Sequence, residues 1–146
     1  MKKFSITLAS ALVLGLSFTS CGSDDNGGGG SVTAEKLAGK WEFSKEKFSI
    51  NGTAFPEQDY SDNEAGCSKD YITFTAAGTY EEGDYWSTEC ELDTWDGTYT
   101  ISGKDIIVDG ETFNVQTLSG STLKMKTTYT EEDVTYTGVV TLKKVN

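Results

Sequence analysis

From Lys40 to the C-terminus, apolar and polar side chains alternate, and glycine-containing turns separate the alternating runs. A period of two belongs to a half-buried β-strand, because successive side chains point to opposite faces of a sheet. The run KWEFSKEKFSI puts Trp41 and Phe43 on one face and needs a bulge before Phe48 and Ile50. DYITFT places Ile72 with Phe74, and Ala76-Ala77-Gly78 turns it into TYEEGDYW. WDGTYTI sets Gly97, Tyr99 and Ile101 against Asp96, Thr98 and Thr100. Ser102-Gly103 leads that run into KDIIV, and Asp109-Gly110 opens ETFNVQTL. Ser119-Gly120 opens STLKMKTTYT, where Leu123 and Met125 oppose Lys124 and Lys126. The last run, VTYTGVVTLKKV, places Tyr136, Gly138, Val140 and Leu142 on one side. Helical periodicity is confined to SVTAEKLAG, residues 31–39, a turn or two with Gly39 as its C-terminal stop.

Tight turns at short spacing imply antiparallel neighbours, and abundant threonine and aromatic residues suit pleated, half-buried surfaces. An open meander of about eight strands would leave two unpaired edges and a curled apolar face. The expected fold is therefore all-β: a compact eight-stranded antiparallel up-and-down barrel with a short N-terminal helical turn. A two-sheet sandwich satisfies the same strand count. The segment NGTAFPEQDYSDNEAG, residues 51–66, holds the only proline and reads as a surface loop between the first and second strands. With no internal repeat, one domain of about 110 residues is expected.

Upstream of the strands the pattern changes. Lys2 and Lys3 precede the apolar run FSITLASALVLGL, which is shorter than the ~20 residues that a helix needs to cross a bilayer. A basic start, a short apolar segment and small residues at its end describe a secretory signal peptide over residues 1–20. Thr19 and Ser20 stand directly before Cys21, an arrangement that resembles a bacterial lipobox, with Phe18 where leucine is usual. That resemblance implies an acylated (palmitate-bearing) Cys21 and a lipoprotein of the cell envelope, anchored at the outer membrane. Ser23-Asp24-Asp25 resembles the acidic stretch that directs some such proteins to the cell surface. Residues 21–32 contain little able to enter a core and form a linker that reaches roughly 17 Å. The barrel domain then spans residues 33–146.

The chain carries a formal charge of −11, and removal of Lys2 and Lys3 with the leader takes it to −13. There is no arginine or histidine. Such a chain is repelled by phosphate backbones and by anionic lipid, which argues against nucleic acid and leaves an acyl chain as the membrane attachment. In an oxidising compartment the even pair Cys67 and Cys90 reads as a disulfide.

At this point the motifs line up with a family. Gly39-Lys40-Trp41 after a helical turn matches the Gly-x-Trp of a lipocalin first strand. Cys67, Ile72, Phe74 and Gly78-Thr79-Tyr80, then Cys90, Gly97-Thr98-Tyr99 and Gly103, follow in the order of a compact variant. The penultimate hairpin is matched by residues 118–123. The domain resembles the lipocalin-like domains of Gram-negative bacterial lipoproteins. The resemblance implies a barrel that binds a small hydrophobic ligand, with no enzymatic activity and no cofactor. It departs from full-length lipocalins in lacking the Thr-Asp-Tyr motif and the arginine that packs on the first-strand tryptophan, a place open to Lys143 or Lys144.

Interior positions for such a ligand are Trp41, Phe43, Phe74, Tyr99, Ile101, Met125, Gly138 and Val140, and the inward glycines Gly97 and Gly138 leave room for it. The same residues equally describe a barrel packed solid by its own side chains. In that case the domain is a surface adhesion or assembly module, using exposed aromatics such as Tyr60, Tyr85 and Trp86; a monomer is expected on either reading. Catalysis has little to build on. Without histidine there is no ordinary Ser-His or Cys-His pair, and neighbouring carboxylates such as Glu81 and Glu82 face opposite ways on a strand. No metal site is expected from cysteine or histidine. The acidic loop with Glu57, Asp59, Asp62 and Glu64 offers oxygen ligands for Ca²⁺ but lacks the spacing of a known calcium loop, and it also reads as a plain solvated loop.

Overall fold

The computed structural model describes residues 31–145, so the leader and Cys21 lie outside the described residues. Helix α1 (Ala34–Leu37) leads into β1 (Gly39–Ile50). Two short strands follow, β2 (Thr53–Ala54) and β3 (Gln58–Asp59), and then β4 (Tyr71–Phe74), β5 (Thr79–Tyr85) and β6 (Leu92–Ser102). The chain ends with β7 (Asp105–Val108), β8 (Glu111–Leu118), β9 (Thr122–Glu131) and β10 (Val134–Lys144). Each strand from β4 to β10 pairs antiparallel with the next, and β1 pairs with both β4 and β10. Eight strands thus close into an up-and-down barrel, and β2 and β3 add to β1 from the loop.

The expected bulge in β1 is present. Phe43 pairs with Leu142 and Lys45 with Thr141, so Ser44 is the extra residue. Without it, Phe48 and Ile50 would fall on the face opposite Trp41. A second bulge lies between Val115 and Thr117 of β8.

The α1 end of the barrel is sealed by a small set of contacts that explain the Gly-x-Trp sequence. Thr33 caps α1, its side chain accepting from the Lys36 amide. Ala38 caps this helix, and Gly39, directly after it at positive φ, stops it as expected and opens β1. Glycine is required there because its φ is +126° and a Cβ would lie 2.7 Å from Cε of Lys144. The same lysine donates to the Ala38 carbonyl at 2.7 Å and sets its ammonium 5.0 Å from the Trp41 ring. It occupies the place of the missing arginine. The Trp41 indole N–H donates to the Leu37 carbonyl at 2.7 Å. Both carbonyls at the C-terminus of α1 are therefore satisfied by side chains from the barrel.

Cys67 and Cys90 form a disulfide that ties the chain before β4 to the chain after β5. The long loop is more than a surface excursion. Its Tyr60 ring stacks on Phe43 with centroids 4.6 Å apart. Asn63 donates to the Phe43 carbonyl and accepts from the Asp70 amide, both at 2.9 Å. Tyr60 is thus packed against the core rather than exposed, which removes it from the aromatics free to meet a partner.

Candidate functional site

Residues paired across neighbouring strands share a face of the sheet, so the register sorts every strand position to the inside or the outside. Trp41 lies opposite Ile72, Ile72 opposite Glu82, and Glu82 opposite Trp95. Tyr99 lies opposite Val108 and Ile101 opposite Ile106, which in turn faces Phe113. Val115, Met125 and Val140 form one row and Leu123 and Leu142 the next. All of these face inward.

Toward α1 the interior is solid. Leu37, Trp41, Ile106, Leu123 and Leu142 have no exposed surface, and Phe74 is 2 % exposed. Of the residues expected in the interior, Trp41, Phe43, Phe74, Tyr99 and Met125 are buried in this floor. Ile101 and Val140 are partly buried against it. The Tyr99 ring meets Phe74 edge to face at 5.0 Å, and its hydroxyl donates to the Thr75 carbonyl. The space over Gly97 is not empty, because the Tyr80 ring fills it, with Cε1 2.8 Å from where a Cβ would sit. Tyr80 is anchored there by donating its hydroxyl to Asp109 at 2.6 Å.

The other half of the interior face is open. Past the Ser44 bulge, Glu46, Phe48 and Ile50 face inward opposite Val140, Gly138 and Tyr136. Phe48 is 42 % exposed and Trp95 44 %, although both lie on the face that forms the core below. Ile50 and Tyr129 are exposed on the same face, and Tyr129 stacks on Tyr136 at 5.0 Å. A Cβ on Gly138 would stand 3.7 Å from the Phe48 ring and from the Thr127 methyl, ordinary contact distances at the edge of this space. The opening has a structural cause. β7 has four residues and pairs only with residues 99–102 of β6, so residues 92–98 have no partner on that side. Two taller ribbons, β5–β6 and β9–β10–β1, therefore flank a low wall. The result is an aromatic-lined trough above a packed floor.

The acidic groups of the trough are crowded. Burial pushes the Glu82 carboxyl up to about 7, reinforced by the charges of Asp84, Asp70 and Asp109 and opposed by a hydrogen bond from Trp95. Burial raises Asp70 to about 6, against the effect of its hydrogen bond from the Tyr85 amide. Asp84 is also raised, by burial and then by Asp62 and Asp93. Glu46 is 4 % exposed and accepts from the Gln58 side chain at 2.8 Å and the Ser61 amide at 3.1 Å.

The loop acids do not converge on a cation. Asp59 pairs with Lys45 at 2.7 Å and Glu57 with Lys124 at 3.9 Å. Among the described residues no group of three His, Cys, Asp or Glu is placed to hold a metal. Glu81 and Glu82 face opposite sides of the sheet, Glu81 accepting from the Tyr71 hydroxyl on the outside at 3.0 Å. A depression lined by Thr73, Thr75, Thr79, Tyr80, Glu81, Asp96, Gly97 and Thr98 lies mainly on the outer wall and is open to solvent. Trp86 is exposed beyond the end of β5 and Tyr85 is half-buried.

Sequence reasoning did not single out Trp95, Tyr129 or Glu82 as trough residues. Trp95 stands two before Gly97 and Glu82 two after Tyr80, so the alternation carried the information. The missing piece was which end of each strand outruns its neighbour.

A closed eight-stranded antiparallel barrel with a helical turn sealing one end and an open apolar trough at the other defines a calyx-type protein. The family model of the lipocalin-like domain matches residues 37–125, from the end of α1 into β9, and the chain belongs to that family. No curated protein matches the sequence.

Proposed function

We propose that this domain binds a small apolar molecule in the trough, without enzymatic chemistry, as a membrane-anchored lipoprotein of the cell envelope. The carrying observation is that large apolar side chains stay exposed on the inner face of the open half, while the same face is fully packed toward α1. A barrel serving only as a rigid module would gain by filling that half as well. The fold and family membership support a ligand-binding role. The binding residues are then Phe48, Ile50, Trp95, Tyr129 and Gly138, with Val140 at the boundary. Trp41, Phe43, Phe74, Tyr99, Ile101 and Met125 supply the floor on which the ligand rests.

The anchor reading rests on the pattern of residues 1–32, with the leader over 1–20, the acylated Cys21 and linker over 21–32, and the domain from residue 33. Titration with Nile red, a neutral apolar dye, tests the binding reading. Saturable binding is expected. Gly138→Leu should weaken it at least several-fold without unfolding the domain, because the added side chain enters the trough beside Phe48. Absence of saturable binding by the wild-type chain overturns the proposal.

A further inference from the structure

The trough combines aromatic side chains with ionisable groups of one sign. Glu46, Glu82, Asp84 and Asp93 take inward positions by register, with Asp70 two residues before Ile72. The strand lysines fall elsewhere. Lys40, Lys45, Lys47, Lys124, Lys126 and Lys143 all occupy positions of outward parity. The inward exception among the described strands is Lys144, held at the sealed end by the Ala38 carbonyl. Glu82 is the pivotal group. It pairs across the strands with Trp95, so one carboxylate and one exposed indole stand side by side on the wall. Among the described residues the charged groups that act on it are Asp84, Asp70 and Asp109, with the phenols of Tyr60 and Tyr80 beside it and no lysine among them.

We infer that the apolar ligand of this trough carries a positive charge: it is an organic cation, an amine or quaternary ammonium on a hydrophobic body, rather than a fatty acid. The inference rests on the ligand-binding reading above and specifies its chemistry. A carboxylate-bearing ligand would add a like charge to a crowded acidic wall, whereas a cation relieves that repulsion and meets aromatic faces that attract it. The apolar lining supplies the site and the acids select its occupant. The perturbed Glu82 carboxyl is consistent with this, since a desolvated acid among like charges is what a cationic ligand would stabilise in its ionised form. Binding of the cation should accordingly weaken as the pH falls below about 7 and Glu82, with Asp70 and Asp84 around it, takes up protons.

The test uses three probes with the same ten-carbon tail (decylammonium, decanol and decanoate), titrated calorimetrically into the whole chain at pH 8 below their aggregation concentrations. The expected order is decylammonium first and decanoate last, with about tenfold between the cation and the neutral alcohol, a step of about 1.4 kcal/mol. Glu82→Gln should cut that preference about fivefold and leave decanol unchanged. Asp96→Asn removes an equal charge from the outer face of the adjacent strand and should leave the preference intact, which separates the trough from the general acidity of the chain. Equal affinity for all three probes, or a preference that survives Glu82→Gln, overturns the inference while leaving the binding reading in place. No binding by any probe overturns both. Thermal melts of each variant verify that it is folded.

Discussion

Replacing Trp41 with alanine tests the packed floor. The side chain has no exposed surface and sits among Leu37, Phe74 and Leu142 in the core cluster. Truncating a buried tryptophan costs about 3–5 kcal/mol through lost burial and the cavity left behind. The substitution also strips the Leu37 carbonyl of its indole donor and removes the ring beneath the Lys144 ammonium, which places the loss at the upper end, about 4–5 kcal/mol. A domain of this size has about 5–15 kcal/mol in total, so the variant stays folded except at the bottom of that range, with a melting temperature lower by about 15–20 °C. Trp41→Phe removes the N–H together with part of the ring system but keeps a buried aromatic ring, so a smaller loss of about 2–3 kcal/mol is expected from it. Urea unfolding of the oxidised protein, followed by circular dichroism, gives both numbers. A Trp41→Ala loss below about 1 kcal/mol, well under the ordinary cost of a cavity, would show that the floor is not the solid element described.

Cys21→Ala should release the protein from the membrane fraction and leave the barrel's melting temperature unchanged; a variant that still fractionates with membranes argues against the anchor. Replacing Cys67 and Cys90 with serine should cost about 2–5 kcal/mol in urea unfolding, because the bridge closes a loop of the unfolded chain, and an unchanged midpoint would refute that contribution. The pH dependence follows from Asp70 and Glu82. Both are raised in the fold to about 6 and about 7, so the folded state binds more protons than the unfolded chain between about pH 4 and 7. Their charged forms are a destabilising load that is fully present above pH 7 and lifts on acidification. The melting temperature should rise from pH 8 to pH 5, and Glu82→Gln should flatten the rise; a fall over that interval, or a slope untouched by the substitution, contradicts the assignment.

The barrel was legible because one-sided alternation extends along nearly every strand and the turns are marked by Gly78, Gly103 and Gly110, each with positive φ. The β1 bulge was legible too, since Trp41–Phe43 and Phe48–Ile50 can share a face only if one residue is skipped. Gly39 was legible as the stop of the short helix, which it follows directly after the Ala38 cap. Its second constraint, the close approach of Lys144, was not legible, because that lysine lies more than 100 residues away in the chain. Tyr60 was misread for a similar reason, as nothing local in an acidic loop announces a stack on Phe43. Gly97 suggested empty space that the Tyr80 ring takes. The trough itself depends on β7 being shorter than the strands around it. Strand length shows only weakly in a sequence, and its consequence for exposure depends on register.

The central claim is a barrel solid toward α1 and receptive at the open end, and amide chemical-shift mapping with a neutral apolar probe tests it most directly. Decanol titrated into the isotopically labelled chain should move resonances of Phe48 and Ile50 in β1, Trp95 in β6, and Thr127, Tyr129 and Gly138 in β9 and β10, saturably and together. Resonances of Trp41, Ile106, Leu123 and Leu142 should stay nearly still. Shifts centred on the floor residues, or on the outer threonine groove around Thr75 and Thr98, would contradict the account.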